Sequence, residues 1–187
     1  MINLPKSEKG ITIIEILVVI VIIVLFSGIL IADFPKIRRQ LAISRVVNKM
    51  SENIRTTQDM ALSGAQIYDA EGNDIKAKGY GVYINISNNK EYLLYADMDN
   101  NHQYEAGEDF LIKKIDFSKS EPGVIIKEIL NVNSGWTSID FSPPNPNIRI
   151  SNLTSGQNRV QIVFQLENDP LNIRSVFVNT VGLIEIK

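Results

Sequence analysis

The chain has 187 residues and a formal net charge of −2, from 19 basic and 21 acidic side chains. That near balance gives no overall attraction to nucleic acid. With no cysteine and a single histidine, His102, the chain is excluded from disulfides, thiolate nucleophiles, iron–sulfur clusters and His-rich metal clusters. Its hydrophobic share is ordinary at 44%, but the apolar residues are crowded into the first fifth of the chain.

Residues 11–32 read ITIIEILVVIVIIVLFSGILIA, and Glu15 is their one charged side chain. As a helix this segment would be roughly 33 Å long, enough to cross a bilayer core of about 30 Å. Its β-branched residues are poor helix formers in water, but in lipid the backbone must satisfy its own hydrogen bonds, which favours helix. A cleaved secretory signal is the competing reading. Its apolar core is shorter, about 7–15 residues, and ends in small residues at the cut. Here Asp33, Phe34, Pro35 and a charged stretch follow instead, so a retained anchor is expected. Lys6 and Lys9 lie before the span and Lys36, Arg38 and Arg39 after it. Charge alone therefore does not orient it. A carboxylate near the centre of such a span costs at least about 2.5 kcal/mol, and less near an end. Glu15 either snorkels to the headgroups, is protonated, or pairs with a cation on a neighbouring chain.

The string Lys9-Gly10-Ile11-Thr12-Ile13-Ile14-Glu15, leading into an apolar helix, resembles the signal of type IV pilins and type II secretion pseudopilins. The resemblance implies that a prepilin peptidase cuts after Gly10 and that the new terminal residue, Ile11, is N-methylated. It also gives Glu15 a role, neutralising the free amine of a neighbouring subunit's first residue. Two charges in apolar surroundings are tolerable only as a pair. The resemblance further places the leader on the cytoplasmic side of the inner membrane and the rest of the chain outside.

After Ala32 the helix is expected to restart, with Asp33 as N-cap and Pro35 in the first turn, where its missing N–H is harmless. A kink is expected at Pro35 and a weak point at Gly28. Ile43, Val46, Val47, Met50, Ile54 and Ala61 recur at three- and four-residue steps, the mark of an amphipathic helix. Arg38, Arg39, Arg45, Lys49 and Arg55, with Glu52 and Asp59 between them, read as a solvated face with local ion pairs. A headgroup- or DNA-binding strip is the other reading. Gly64 is a good C-cap and should end the helix near Ser63.

From residue 79 the pattern changes to short runs of strand type at 79–86, 91–96, 110–117, 124–129, 136–141, 147–150, 159–166, 174–178 and 183–186. Turn residues separate them, among them Glu121-Pro122-Gly123, Pro143-Pro144-Asn145-Pro146 and Ser155-Gly156-Gln157. A long helix followed by antiparallel strands predicts an α+β fold with sheet packed on the amphipathic half of the helix. The layout is similar to that of H-type pseudopilins and related minor pilins, which place two small sheets there. The C-terminal disulfide loop of many major pilins is missing.

One loop could hold a metal. From Asp97 to Glu108 it carries oxygen side chains at positions 1, 3, 5, 9 and 12, the spacing of an EF-hand-type calcium loop. The candidate ligands are Asp97, Asp99, Asn101, the Gln103 carbonyl and Glu108. His102 stands where glycine usually makes the sharp turn, and a solvated acidic turn is the plainer reading. Some pseudopilins fix a loop with calcium, so the resemblance is compatible with either. His102 has no Ser/His/Asp set or phosphate-cradling loop around it, so no catalytic activity is expected. Trp136 reads as packing. Asn85 and Asn152 lie in N-x-Ser/Thr sequons.

Together these readings divide the chain into a cleaved leader at 1–10, a transmembrane and filament-core helix at 11–32, its amphipathic continuation at 33–64 and a β-rich domain at 65–187. The expected function is a structural subunit, a minor pilin or pseudopilin of a type IV pilus or type II secretion-like filament. Its implied partners are prepilin peptidase, other pilin or pseudopilin subunits, the inner-membrane assembly machinery and the membrane itself. No cofactor is required, calcium is the possible ion, and no nucleic-acid partner is expected. The other functional readings are a minor pilin that binds DNA, a surface or an exported substrate, and an anchored β domain that never polymerises.

Overall fold

The computed structural model describes residues 10–143 and 147–187. The leader before Gly10, and most of the proline-rich turn at 143–146, lie outside the described residues. Two compact units meet at the Arg39–Gln40 bond.

A single helix, α1, runs from Ile13 to Ser63 through both units. Thr12 starts it, its Oγ1 accepting the Glu15 N–H at 3.3 Å, one half of a Thr-x-x-Glu capping box. The expected restart at Asp33 does not occur, because α1 continues without a break through Gly28 and Pro35. Proline removes one backbone hydrogen bond. Initiating a fresh helix is much costlier than propagating one already formed, so the long helical arms on either side carry α1 across the gap. The end falls where expected. Gly64 takes the left-handed φ of +58°, its N–H reaches the Ala61 carbonyl, and the Ala65 N–H reaches the Met60 carbonyl. This 6→1 and 5→2 pair is a Schellman cap.

In the first unit the described apolar side chains of α1 are exposed, including Leu17, Ile20, Leu25 and Ile31. This part is long and apolar enough to cross a membrane. In the second unit the same helix behaves differently. Ile43, Val46, Val47, Met50, Ile54 and Ala61 are all buried, so the six-residue stripe read from the sequence is the face that packs.

Among the described residues eleven strands follow: β1 Ile67–Tyr68, β2 Asp74–Ile75, β3 Gly79–Asn85, β4 Glu91–Asp97, β5 Phe110–Asp116, β6 Val124–Leu130, β7 Trp136–Ser142, β8 Asn147–Ile150, β9 Arg159–Leu166, β10 Asp169–Asn179 and β11 Ile184–Ile186. The short β1–β2 ribbon has no counterpart among the expected strands. Asp69 organises its turn by accepting the Glu71 and Asn73 N–H groups, side-chain chemistry that apolar alternation does not register. The other nine strands form two antiparallel sheets, in the orders β5-β4-β3-β7-β8 and β11-β10-β9-β6. The chain thus leaves the first sheet to make β6, returns for β7 and β8, and then completes the second. Strand β10 begins five residues earlier than the alternation predicts. Its pairing with β9 is irregular between Asp169 and Ile173, where Pro170 has no N–H to give the ladder.

Both sheets and the packed half of α1 share one core. Val82 pairs with Leu94 on one side and Ile139 on the other, and Phe164 pairs with Ile126 in the second sheet. An aromatic series crosses between the sheets. Phe164 meets Phe117 edge-on at 6.2 Å, and Phe117 meets Tyr92 at 6.5 Å. The Tyr92 hydroxyl is satisfied by the Asn53 amide of α1 at 2.8 Å. On the exposed side of the helix, Arg45 grips both oxygens of Glu121, and Lys49 reaches Glu52 at 3.0 Å. Those helix cations are therefore engaged in intramolecular ion pairs.

Candidate functional site

Two places carry chemistry. The first is the entrance to α1. Gly10, Ile11 and Thr12 precede the helix and are exposed, so the Gly10–Ile11 peptide bond lies in non-helical backbone that an enzyme can reach. Glu15 stands in the first turn, where the helix dipole favours a negative charge. Thr12 was not among the expected site residues, although the Thr-x-x-Glu spacing is visible in the sequence.

The second is the outer face of the five-stranded sheet. Alternation along β7 sends Ile139 and Phe141 to the shared core, and Ser138, Asp140 and Ser142 to the opposite face. Polar side chains on such a face are normally solvated, yet all three are buried, because the 98–109 loop folds back over them. Its Tyr104 N–H donates to Ser138 Oγ at 3.1 Å, its His102 carbonyl accepts from Ser151 Oγ at 2.8 Å, and His102 Nδ1 lies 3.0 Å from Asp140 Oδ1. The Tyr104 ring packs against Tyr83 and Tyr95 at 5.1 and 5.4 Å. Trp136 joins Tyr83 at 5.9 Å, a packing role as its sequence context suggests.

Two glycines make room for this layer. A Cβ at Gly79 would stand 2.9 Å from an Asp140 carboxylate oxygen, and one at Gly81 would stand 2.5 Å from the Tyr95 ring. Burial raises the Asp140 carboxyl to about 6, against the hydrogen bonds from His102 and Ser142 that favour its charged form. Burial also raises the Tyr95 hydroxyl, and the nearby Asp140 charge adds to that.

The loop itself is organised by its acidic residues. Asp97, fully buried, accepts the N–H groups of Asp99 and Asn100 with Oδ1, and that of His102 with Oδ2. Asp99 accepts from the Asn101 N–H, and Asn101 from the Gln103 N–H. His102 adopts φ +63°, the left-handed turn expected at its position. Of the candidate ligands, Asp97 and Asp99 converge, and the third carboxylate beside them is Asp109, all three within 4.8 Å. Glu108 instead faces Glu105, raising that carboxyl through like-charge repulsion. Asp109 Oδ1 and Oδ2 accept the Met98 and Glu105 N–H groups at 3.0 and 2.8 Å. Burial raises the Asp109 carboxyl, partly offset by these bonds. Asp109 directly follows Glu108, so a loop longer by one residue finds it. Asp140 has no such signal, since only the fold brings β7 beneath the loop. The sequons are occupied locally: Asn85 donates to the Tyr83 hydroxyl and accepts from the Ser87 N–H, and Asn152 donates to the Trp136 carbonyl.

Residues 5–31 match the family model for the prokaryotic N-terminal methylation motif. The chain therefore carries a prepilin-type signal and is pilin-like at its N-terminus. No curated protein and no solved structure matches the chain.

Proposed function

We propose that this chain is a minor pilin or pseudopilin. It would be processed by prepilin peptidase between Gly10 and Ile11, methylated on Ile11, and assembled through α1 into a type IV pilus or type II secretion-like filament. The observation that carries this reading is the methylation motif at 5–31 continuing into a helix whose first half leaves its apolar side chains uncovered within the chain. Such a surface needs lipid before assembly and neighbouring helices afterwards. The decisive measurement is the N-terminal mass. A chain beginning at N-methyl-Ile11 supports the reading, and an intact Met1 terminus contradicts it.

Substitution at the cut gives a second test. Gly10→Val adds a branched side chain beside the scissile bond, and a peptidase that draws this extended backbone close is expected to lose cleavage. The variant should keep the full precursor mass. Appearance of the mature mass at wild-type yield would show that the bond is cut elsewhere or by another route.

The 97–109 loop supports an ion-dependent element within that subunit. Asp97, Asp99 and Asp109 converge, and with the Asn101 side chain and the Gln103 carbonyl of the same loop they would make an all-oxygen set suited to calcium. Calcium that binds only the folded chain must raise its unfolding temperature. At about 100 times Kd the gain is about 2.7 kcal/mol, readable as a thermal shift in the detergent-solubilised chain. Asp109→Asn should remove most of that shift. A melting curve indifferent to millimolar calcium would end this reading and leave the filament assignment standing.

A further inference from the structure

We propose that Asp97, His102 and Asp140 form a binding site for one divalent transition-metal ion of the zinc type, with a donor set different from that of the calcium cluster although the two share Asp97. One ligand atom from each residue lies within 4.8 Å of the others. His102 Nδ1 is 3.0 Å from Asp140 Oδ1 and 3.8 Å from Asp97 Oδ2. Ligand atoms about 2.1 Å from a tetrahedral zinc ion lie about 3.4 Å apart, so the observed spacings bracket what the ion requires.

The charge balance points to a cation. Asp97 and Asp140 are both fully buried, and two buried carboxylates side by side are costly unless a positive charge meets them. Among the described residues, the group capable of positive charge that touches either is His102. Asp140 Oδ2 is buried and has no hydrogen-bond partner among the described residues. The other oxygen, Oδ1, accepts from Ser142 Oγ and stands against the His102 imidazole, so the Asp140 carboxylate keeps one buried oxygen free next to a nitrogen donor. The orphan is independent of the loop's own hydrogen bonds, since Asp140 belongs to β7.

The donor set selects the metal. Imidazole nitrogen with two carboxylate oxygens suits zinc and its neighbours, whereas calcium takes six to eight oxygens. Three protein ligands would leave one position open. The His102 side chain is 23% exposed, which gives an ion a way in. Binding would put a metal bridge in place of the His102–Asp140 hydrogen bond, which joins the 98–109 loop to β7.

The test is a calorimetric titration of the chelator-stripped, detergent-solubilised full chain with zinc chloride, repeated on three variants. His102→Asn keeps a residue that tolerates positive φ, and Asp140→Asn keeps the size of the buried side chain. Each is expected to weaken zinc binding about tenfold or more, on the scale by which metal sites respond to lost supporting contacts. Glu128→Gln, on β6 of the other sheet, is the control and is expected to leave zinc affinity unchanged. Cobalt in place of zinc should give the visible absorption of a low-coordinate ion, absent in His102→Asn. Lack of zinc uptake by the wild-type chain, equal zinc affinity in wild type and both ligand variants, or loss of zinc in Glu128→Gln would each overturn the proposal. The calcium reading fails on a different titrant and a different variant, so the two outcomes are separable.

Discussion

Glu15→Ala is expected to leave the subunit in the membrane and to lower its share of sheared filaments by about tenfold or more. Insertion should not suffer, because removing a carboxylate from an apolar span relieves a cost. Assembly should suffer, because the neighbour's Ile11 ammonium would then be packed among apolar helices without a counter-charge. Breaking a buried ion pair by deleting one partner typically costs about 3–5 kcal/mol, and 1.4 kcal/mol is already tenfold in an equilibrium. The structure adds a second consequence. Glu15 lies in the first turn of α1, so alanine also removes a favourable charge–dipole contact, worth about 0.3–1 kcal/mol at a helix start. Glu15→Gln separates the effects. It keeps the length and polarity of the side chain and loses the charge, so a charge-pairing role predicts that it fails nearly as badly as alanine. Wild-type filament content in both variants, at equal membrane levels, would refute the pairing.

Most of the architecture was legible because it rests on periodicity. The stripe from Ile43 to Ala61 is the buried helix face, and all nine expected strands are present, since apolar alternation reports which side of a sheet is covered. Three features were not legible, each for a physical reason. The restart expected at Asp33 relied on local rules, whereas α1 continues because extending a helix is cheaper than starting one. The β1–β2 ribbon is held by the turn chemistry of Asp69 and not by apolar burial. The buried polar layer of Ser138, Asp140 and Ser142 has the sequence pattern of a solvated face, and it is inside only because a loop distant in sequence lies across it. At the candidate sites the same division holds. Gly10, Ile11 and Glu15 are read from contiguous residues, and so are the loop candidates Asp97, Asp99 and Asn101. Asp140 comes from tertiary folding, and Asp109 stands in the cluster where Glu108 was expected, its carboxylate held there by the Met98 and Glu105 N–H groups.

Phe164→Ala is expected to be among the most damaging single truncations in the β-rich unit, at about 3–5 kcal/mol. Phe164 is fully buried on β9, a central strand of its sheet, and its ring is one end of the series through Phe117 to Tyr92 of the other sheet. Total stabilities run to about 5–15 kcal/mol, so such a loss should lower the melting temperature by about 10 °C. The more searching question is where the loss is felt. Trp136 is the chain's single tryptophan and lies on β7 of the five-stranded sheet, so its fluorescence reports that sheet alone. If both sheets and α1 share one core, the Trp136 transition and the backbone circular dichroism must shift together in Phe164→Ala, although the substitution is in the other sheet. Leu171→Ala supplies the contrast, because that side chain is 92% exposed and should change stability by no more than about 0.5 kcal/mol. A Trp136 transition that stays at the wild-type temperature while the circular dichroism falls would mean that the two sheets unfold separately, and the single-core description would have to be abandoned.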